Sequence, residues 1–545
     1  VSRRHLLEWT TAAAASAAPR PDLRGFLRAM APGILLGLSA TGLAGLSAPG
    51  SLPLILPFAA LWLAAPLIAF RVSQPSRAQP DAALTPQDAQ ELRLIARRTW
   101  HYFEIFVTPE DSHLPPDNFQ EQPHATLAHR TSPTNMGLYL LSTVTACDLG
   151  WIGLRQTTNR IAATLGTMQT LPRVKGHFYN WYDTRDSRVL DPPYVSSVDS
   201  GNLAGHLIAL ANACEDWAAH SGATPLQRSQ GLTDLLDLVE RDAERLKSPL
   251  SASCSEAIGS LRDGLKQAEV NWPFLQRLAA KAELATPTPE AMPSHAPRWL
   301  SLLRDGLAEA ATDAALSEAD HAALAAELHR LGAQARRLAV DMDFGFLLDP
   351  ERKLLSIGYS THENTLDPSC YDLLASEARL ASLFAVAKQD LPLRHWFRLG
   401  RTVTATRGGA VLVSWAGSIF EYLMPGLVMQ EPEGGQLGHT CRLVVERQIA
   451  YGRAQGVPWG ISESGFNARD VDFNYQYSTF GVPGLGLKRG LAGNLVVAPY
   501  ATGLAAMLNP GAARRNYEDL EAIGGLGLCG FYEALDFTPD RVLPG

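Results

Sequence analysis

The chain has 545 residues, with 47 Lys+Arg against 55 Asp+Glu and a net charge of −8. That length exceeds one ordinary domain, and the mildly acidic balance excludes a nucleic-acid binder, which needs a basic face. The six cysteines (Cys147, Cys214, Cys254, Cys370, Cys441, Cys529) contain no C-x-x-C pair, which argues against a zinc site and for free thiols in a reducing compartment. No metal and no cofactor is expected.

Residues 1–30 form a basic segment with Arg3, Arg4, Arg20, Arg24 and Arg28 ahead of the first apolar stretch. No small-residue cleavage site closes that stretch, so it does not read as a signal peptide. A chain opening on Val1 reads as a segment of something longer. From Ala31 to Phe70 there is no charged residue. A membrane span takes about 20 apolar residues, so 31–71 holds two, split at Ser47-Ala48-Pro49-Gly50-Ser51 into 31–46 and 52–70. Arginines flank both outer ends and the turn has none, which puts both ends on the cytoplasmic side and makes a lipid bilayer the expected partner.

Residues 72–84 are polar and proline-containing, a linker by composition. Thr85-Pro86-Gln87-Asp88 then gives an N-cap, a proline at the first helical position and an acid at the third. Leu92, Ile95, Thr99, Phe103 and Phe106 follow at helical spacing. Ser317-Glu318-Ala319-Asp320 opens another helix. Strand signals are few, the best being Val411-Leu412-Val413 and Val496-Val497. Ten to twelve helices over 85–545 predict an all-α domain, closed as a toroid of helical hairpins around a pocket. The segment 222–342, rich in Ala, Leu, Glu and Arg, reads as plain helical packing of unassigned role.

Sugars offer hydroxyls for charge-assisted hydrogen bonds and flat C–H faces for aromatic rings. The run from His177 to Asp183 supplies both kinds of group, and Ser196 to Asn202 adds small polar groups before a helix expected near Leu203. Four runs carry acids. Asp372 and Glu377 lie on a loop passing into a helix; on a regular helix they would sit about 140° apart, so only one would face a pocket unless Asp372 precedes the helix. Glu463 sits beside Trp459 among small residues and glycines that allow close backbone approach. Glu421 has an apolar setting, and Glu533 lies near the end. Glycoside chemistry takes two carboxyl groups, a proton donor and a nucleophile or base, and apolar surroundings suit the donor by raising its pKa. On chemistry alone Glu463 is the best nucleophile and Glu377 a reasonable acid/base, while Glu421 can exchange roles with either. The competing assignment for each glutamate is a structural ion pair with Arg379, Arg398 or Arg469.

The runs from Arg130 to Leu140, His177 to Asp183, Val195 to Leu203, Asp367 to Arg379, and Pro458 to Asp470 followed by Tyr475-Gln476-Tyr477 resemble the middle part of cyclic β-1,2-glucan synthases. The resemblance covers essentially the whole chain. It implies an (α/α)6-barrel cyclization domain, part of a bacterial inner-membrane protein with its catalytic domain cytoplasmic. A glycosyltransferase domain would precede it and a phosphorylase-like domain would follow. The implied activity on linear β-1,2-glucan is retaining intramolecular transglycosylation, with Glu463 matching the nucleophile and Glu377 the acid/base, its proton passing directly or through a substrate hydroxyl. Their spacing of 86 residues also fits that pattern. Trp181, Tyr182, Trp459, Tyr475 and Tyr532 are then candidate sugar platforms, and Asp199, Asn202, Asp372 and Glu421 candidate hydroxyl contacts. A β-1,2-glucan hydrolase and a non-catalytic glucan-holding module are the alternatives.

Overall fold

The computed structural model describes residues 22–73 and 84–542, apart from 221, 223, 246, 248, 249, 268, 285–294, 433 and 472. The chain divides into two compact units, the first ending at Asp81 and the second beginning at Ala82.

The first unit is a helical hairpin. Its helices are Leu23–Ser47 and Leu52–Val72, joined by a 3-10 turn at Pro49–Ser51. The turn falls where the Pro-Gly pair places it. The first helix begins eight residues before the expected boundary at 31, because Asp22 caps it: its carboxylate accepts from Gly25 N at 2.8 Å and no breaker follows until Pro32. Arg24 and Arg28 therefore lie inside the helix. The two helices meet where Gly37 faces Trp62; a Cβ at 37 would stand 3.1 Å from the indole. Gly37, Ala59 and Pro66 are buried, while Leu35 is 63% exposed and Leu46 88%. Both helices are long and apolar enough to cross a membrane. Most of the expected basic segment 1–30 and of the linker 72–84 lies outside the described residues.

The second unit is a mostly helical toroid. Thr85 caps its first helix, Pro86–Phe106, by accepting from Asp88 N, as its sequence predicts. This helix packs on Pro133–Asp148, which packs on Ser197–His220, which packs on Arg379–Ala387. Farther along, Ile419–Leu423 packs on Pro499–Ala506, which pairs with Pro510–Ala522, and that helix returns to Pro86–Phe106. Leu154–Thr170, Glu318–Val340 and Gln436–Gln455 pack behind this ring. Two large apolar cores fill the space between the layers. One is centred on Leu165, Leu207, Leu331 and Phe344, the other on Tyr422, Val444, Ile461 and Val497.

Fifteen α-helices from Pro86 onward stand among the described residues, more than the ten to twelve expected, because some are five-residue pieces such as Arg394–Arg398. The segment 222–342 is not one thing. Helices from Pro225 to Ala314 wrap a core of their own around Leu236, Ile258, Leu261, Trp299 and Leu303. Glu318–Val340, opened by the Ser317–Asp320 capping box, instead packs on Ser197–His220 and is part of the toroid. The helices from Pro225 to Ala314 dock through buried charges: Arg93 pairs with Asp234 at 2.7 Å and Arg98 with Asp242 at 2.5 Å. The Trp151 and Trp299 indole N–H groups donate to the same two carboxylates.

Short antiparallel pairs decorate the connections between helices. Val496–Val497 is a strand as expected, whereas the strand expected at 411–413 runs over Gly409–Leu412 and leaves Val413 out. Many others, such as Arg130–Thr131 with Tyr182–Asp183, are too short for the sequence pattern to reveal, and Ser464–Arg469 with Tyr475–Ser478 lacks the β-branched residues that mark a strand. Cys214, Cys370, Cys441 and Cys529 are free thiols.

Candidate active site

An open cleft of about 2200 Å³ enters the toroid at one end. It is several times larger than a pocket for a drug-sized ligand, and suits a polymer. Its lining draws on residues at or just before the starts of five helices: Thr134 and Asn135, Val198, Asp199 and Asn202, Glu377, Phe420, and Pro499 with Tyr500. The first N–H groups of a helix have no partner within it, so this end of the toroid is a polar mouth on an apolar wall.

Glu463 is held there by its backbone. Segment 459–463 is bridged through Ile461 to Val497, and two buried side-chain amides bind its backbone. Gln448 accepts from Ile461 N (2.9 Å) and donates to Ile461 O (2.8 Å). Asn516 accepts from Trp459 N (3.0 Å) and donates to Trp459 O (2.9 Å). Gly460 has φ +123°, and a Cβ there would lie 3.3 Å from the Ala498 carbonyl, so only glycine fits. The Tyr500 hydroxyl donates to Glu463 O at 2.7 Å. Gln448→Leu takes the partner from Ile461 N and leaves Ile461 O only a long bond from Ile419 N (3.4 Å) inside the core. The expected outcome is a loss of about 2–5 kcal/mol of stability, read by denaturant unfolding; a change below about 1 kcal/mol would show that this clamp is not what holds the segment.

Glu377 lies on the turn before Arg379–Ala387. The buried Arg379 guanidinium pins that turn, donating to the carbonyls of Ser376 (3.1 Å), Glu421 (3.0 Å) and Tyr422 (2.7 Å), with a long contact to Glu431. Arg398 donates to the Arg352 carbonyl and Arg469 lies over the Tyr475 ring. None of the three arginines thus forms the ion pair that would have made Glu377 or Glu463 merely structural.

Both carboxyl groups line the cleft and both are pushed well above the usual carboxylate range. For Glu377 the main cause is burial, then the Glu463 charge and the Glu421 charge. For Glu463 it is burial, then the Glu421 charge, opposed by a hydrogen bond from the Tyr477 hydroxyl. Two acids raised in this way hold a proton between them. Such a pair can present one ionised and one protonated carboxyl group to the same ligand.

Around the pair, Asp199 accepts from the Thr134 hydroxyl at 2.5 Å. Asn180, oriented with its nitrogen toward Asp199, donates to it at 3.1 Å and accepts from the Trp181 indole. Asn202 Nδ2 donates to Thr134 (3.2 Å), while its buried Oδ1 has no partner. The helix expected near Leu203 starts at Ser197, so Asp199 and Asn202 lie within its first two turns. Trp181, with the Arg130 guanidinium 5.0 Å above its ring, and Tyr475 and Tyr532 also line the cleft.

Four expected contacts lie elsewhere. Tyr182 is fully buried, its hydroxyl donating to Pro172 O and accepting from Tyr179 N. Trp459 packs in the second core. Asp372 precedes the helix on an exposed stretch outside the cleft, its carbonyl accepting from Gly400 N. Glu421 closes a capping box with Ser418, and its oxygens accept from Ser414 Oγ and from the N–H groups of Trp415, Ala416 and Ser418. It has no capacity left for a ligand and acts on the pair through its charge.

The structure adds residues that sequence reasoning passed over. Tyr477 and Tyr475 share a face of one strand by two-residue alternation, which was signal enough to find Tyr477. Tyr371 and Tyr500 are buried close enough to both glutamates for the carboxylate charges, after burial, to raise their hydroxyl pKa values. Tyr371 comes from a loop and Tyr500 from the first turn of Pro499–Ala506, a convergence that no local pattern announces.

No family model matches the chain. It is 45% identical, over 568 aligned positions covering all of it, to the cyclic β-(1,2)-glucan synthase NdvB of Rhizobium meliloti, and spans 20% of that protein's length. Its fold is similar to that of a candidate glucoamylase from Bacteroides fragilis (15% identity, TM-score 0.51, 85% of this chain and 89% of that one). A β-1,2-glucanase from Parabacteroides distasonis shares it as well (12% identity, TM-score 0.50, 84% of this chain and 54% of that one). At these identities the two structures speak for the fold alone, an all-α glucoamylase-like toroid. Along its entire length, the chain is similar to about one fifth of a cyclic β-(1,2)-glucan synthase.

Proposed function

We propose that this chain closes linear β-1,2-glucan into rings by retaining intramolecular transglycosylation. The observation that carries the proposal is a polymer-sized cleft holding two pKa-raised glutamates not neutralised by the neighbouring arginines; the similarity to a cyclic glucan synthase supports the choice of glucan. Glu463 attacks the anomeric carbon of an internal unit, and Glu377 gives its proton, directly or through a substrate hydroxyl, to the departing 2-oxygen. Glu377 then takes the proton from the 2-hydroxyl at the bound segment's own non-reducing end as that oxygen displaces Glu463. Atoms balance: one glycosidic bond breaks, one forms, and the shorter segment leaves with a free 2-hydroxyl. A ring wins over hydrolysis when that end is held in place, a positioning effect. Trp181, Tyr475 and Tyr532 serve as platforms, and Asp199 and Asn202 as hydroxyl contacts.

The hairpin at 23–72 is proposed to anchor this domain in the bacterial inner membrane, with the toroid cytoplasmic. Exposed leucines along both helices support insertion, and the flanking arginines support the orientation. Glycosyltransferase and phosphorylase-like domains of a longer protein are the proposed neighbours. Incubating the full chain with linear β-1,2-glucan should yield rings plus shortened linear chains. Short linear products alone would make it a hydrolase, and unchanged glucan a holding module. Removing residues 1–81 should move the protein from the membrane to the soluble fraction; retention in the membrane would remove the anchoring role.

A further inference from the structure

The two-carboxyl mechanism leaves a third cleft carboxylate unused. Glu533 lines the cleft and accepts a single hydrogen bond, from Gly465 N to Oε1 at 2.8 Å. Its other oxygen has no partner and no cation pairs with it among the described residues. Gly465 is the second residue of the strand Ser464–Arg469, which starts directly after Glu463, and its cross-strand partner is Tyr477, whose hydroxyl bonds Glu463. Beside Glu533, Phe531 and Tyr532 bring aromatic faces to the same wall, Phe531 stacked on Tyr517 at 4.7 Å. Glu533 is exposed on the cleft wall; one N–H occupies part of its acceptor capacity, and the rest is open to a ligand in the cleft.

We propose that Glu533 is a sugar-binding residue: it accepts hydrogen bonds from the vicinal 3- and 4-hydroxyls of a glucosyl unit adjoining the one attacked by Glu463, while the neighbouring rings cover that unit's C–H face. A β-1,2 linkage consumes the 2-hydroxyl, so the 3,4-diol is the vicinal pair that every internal unit keeps free. Two parallel hydroxyl donors match the two oxygens of one carboxylate, and such charge-assisted pairs are the strong ones.

This inference rests on the glucan-acting reading but is tested by binding. The full chain in detergent, carrying Glu463→Gln to stop turnover, is titrated calorimetrically with a linear β-1,2-gluco-oligosaccharide. Adding Glu533→Gln should weaken Kd about tenfold. Glutamine keeps an oxygen to accept from Gly465 N, so a merely structural Glu533 requires the Gln variant to bind like its parent and only Glu533→Ala to bind weakly; that pattern overturns the proposal. Turnover by the otherwise native chain separates the two readings. Binding lost in Glu533→Gln but no cleavage by the native chain sinks the catalytic reading and keeps Glu533 in its role. Cleavage with a KM unmoved by Glu533→Gln removes Glu533 alone. No binding of the oligosaccharide by the Glu463→Gln chain overturns both.

Discussion

Glu463→Gln is expected to leave the melting temperature unchanged within a few degrees and to reduce glucan cleavage and ring formation by at least about 10³-fold. The fold should survive because the carboxyl group is in no ion pair that the amide would break, and the amide oxygen can still accept from the Tyr477 hydroxyl. The backbone clamp by Gln448 and Asn516 does not involve the side chain at all. Activity should not survive, because an amide cannot form the glycosyl ester. Reducing-end release and ring detection on purified chain, beside a melting curve, measure both. Activity within tenfold of native would remove Glu463 as nucleophile.

Glu377→Gln should cost about 10² to 10⁴ in rate, the usual worth of a positioned proton donor, and should also change the shape of the pH profile. The working state has Glu377 protonated and Glu463 ionised. Because folding raises both pKa values, the rate climbs as pH rises through the lower titration of the pair. It falls as pH rises through the upper one, both above the ordinary carboxylate range. Glutamine at 377 removes the alkaline limb, leaving residual activity that does not decline there. The acid limb should stay in place, because through the lower titration Glu377 is already protonated and a neutral amide replaces a neutral carboxyl group. A rate profile measured from acid to alkaline pH tests both expectations. An unchanged bell would assign the proton transfer to another group.

How much of this was legible in the sequence depended on how local the cause was. The hairpin was legible because the charge-free run from Ala31 to Phe70 admits few solvents. Its true start at Leu23 was hidden because a single cap, Asp22, decides it. The caps at Thr85 and Ser317 were legible because their partners lie three residues away. Glu421 carried the same spelling, Ser418 followed three residues on by Glu421, and that capping box was the readable sign of a carboxylate already occupied. Tyr182 and Trp459 could not be sorted from Trp181 and Tyr475 by type. An aromatic becomes platform or core according to which face the tertiary structure covers, and neighbours in one run took opposite fates. The partial separation of the 222–342 helices likewise rests on pairings such as Arg98 with Asp242, 144 residues apart.

The most direct test is an experimental structure of the full chain carrying Glu463→Gln with a linear β-1,2-glucan bound. An anomeric carbon is expected about 3–3.5 Å from the side chain at 463, with Glu377 approaching the same linkage directly or through one sugar hydroxyl. A chain bound with its linkages away from position 463, or with Glu377 beside a different linkage, would contradict it.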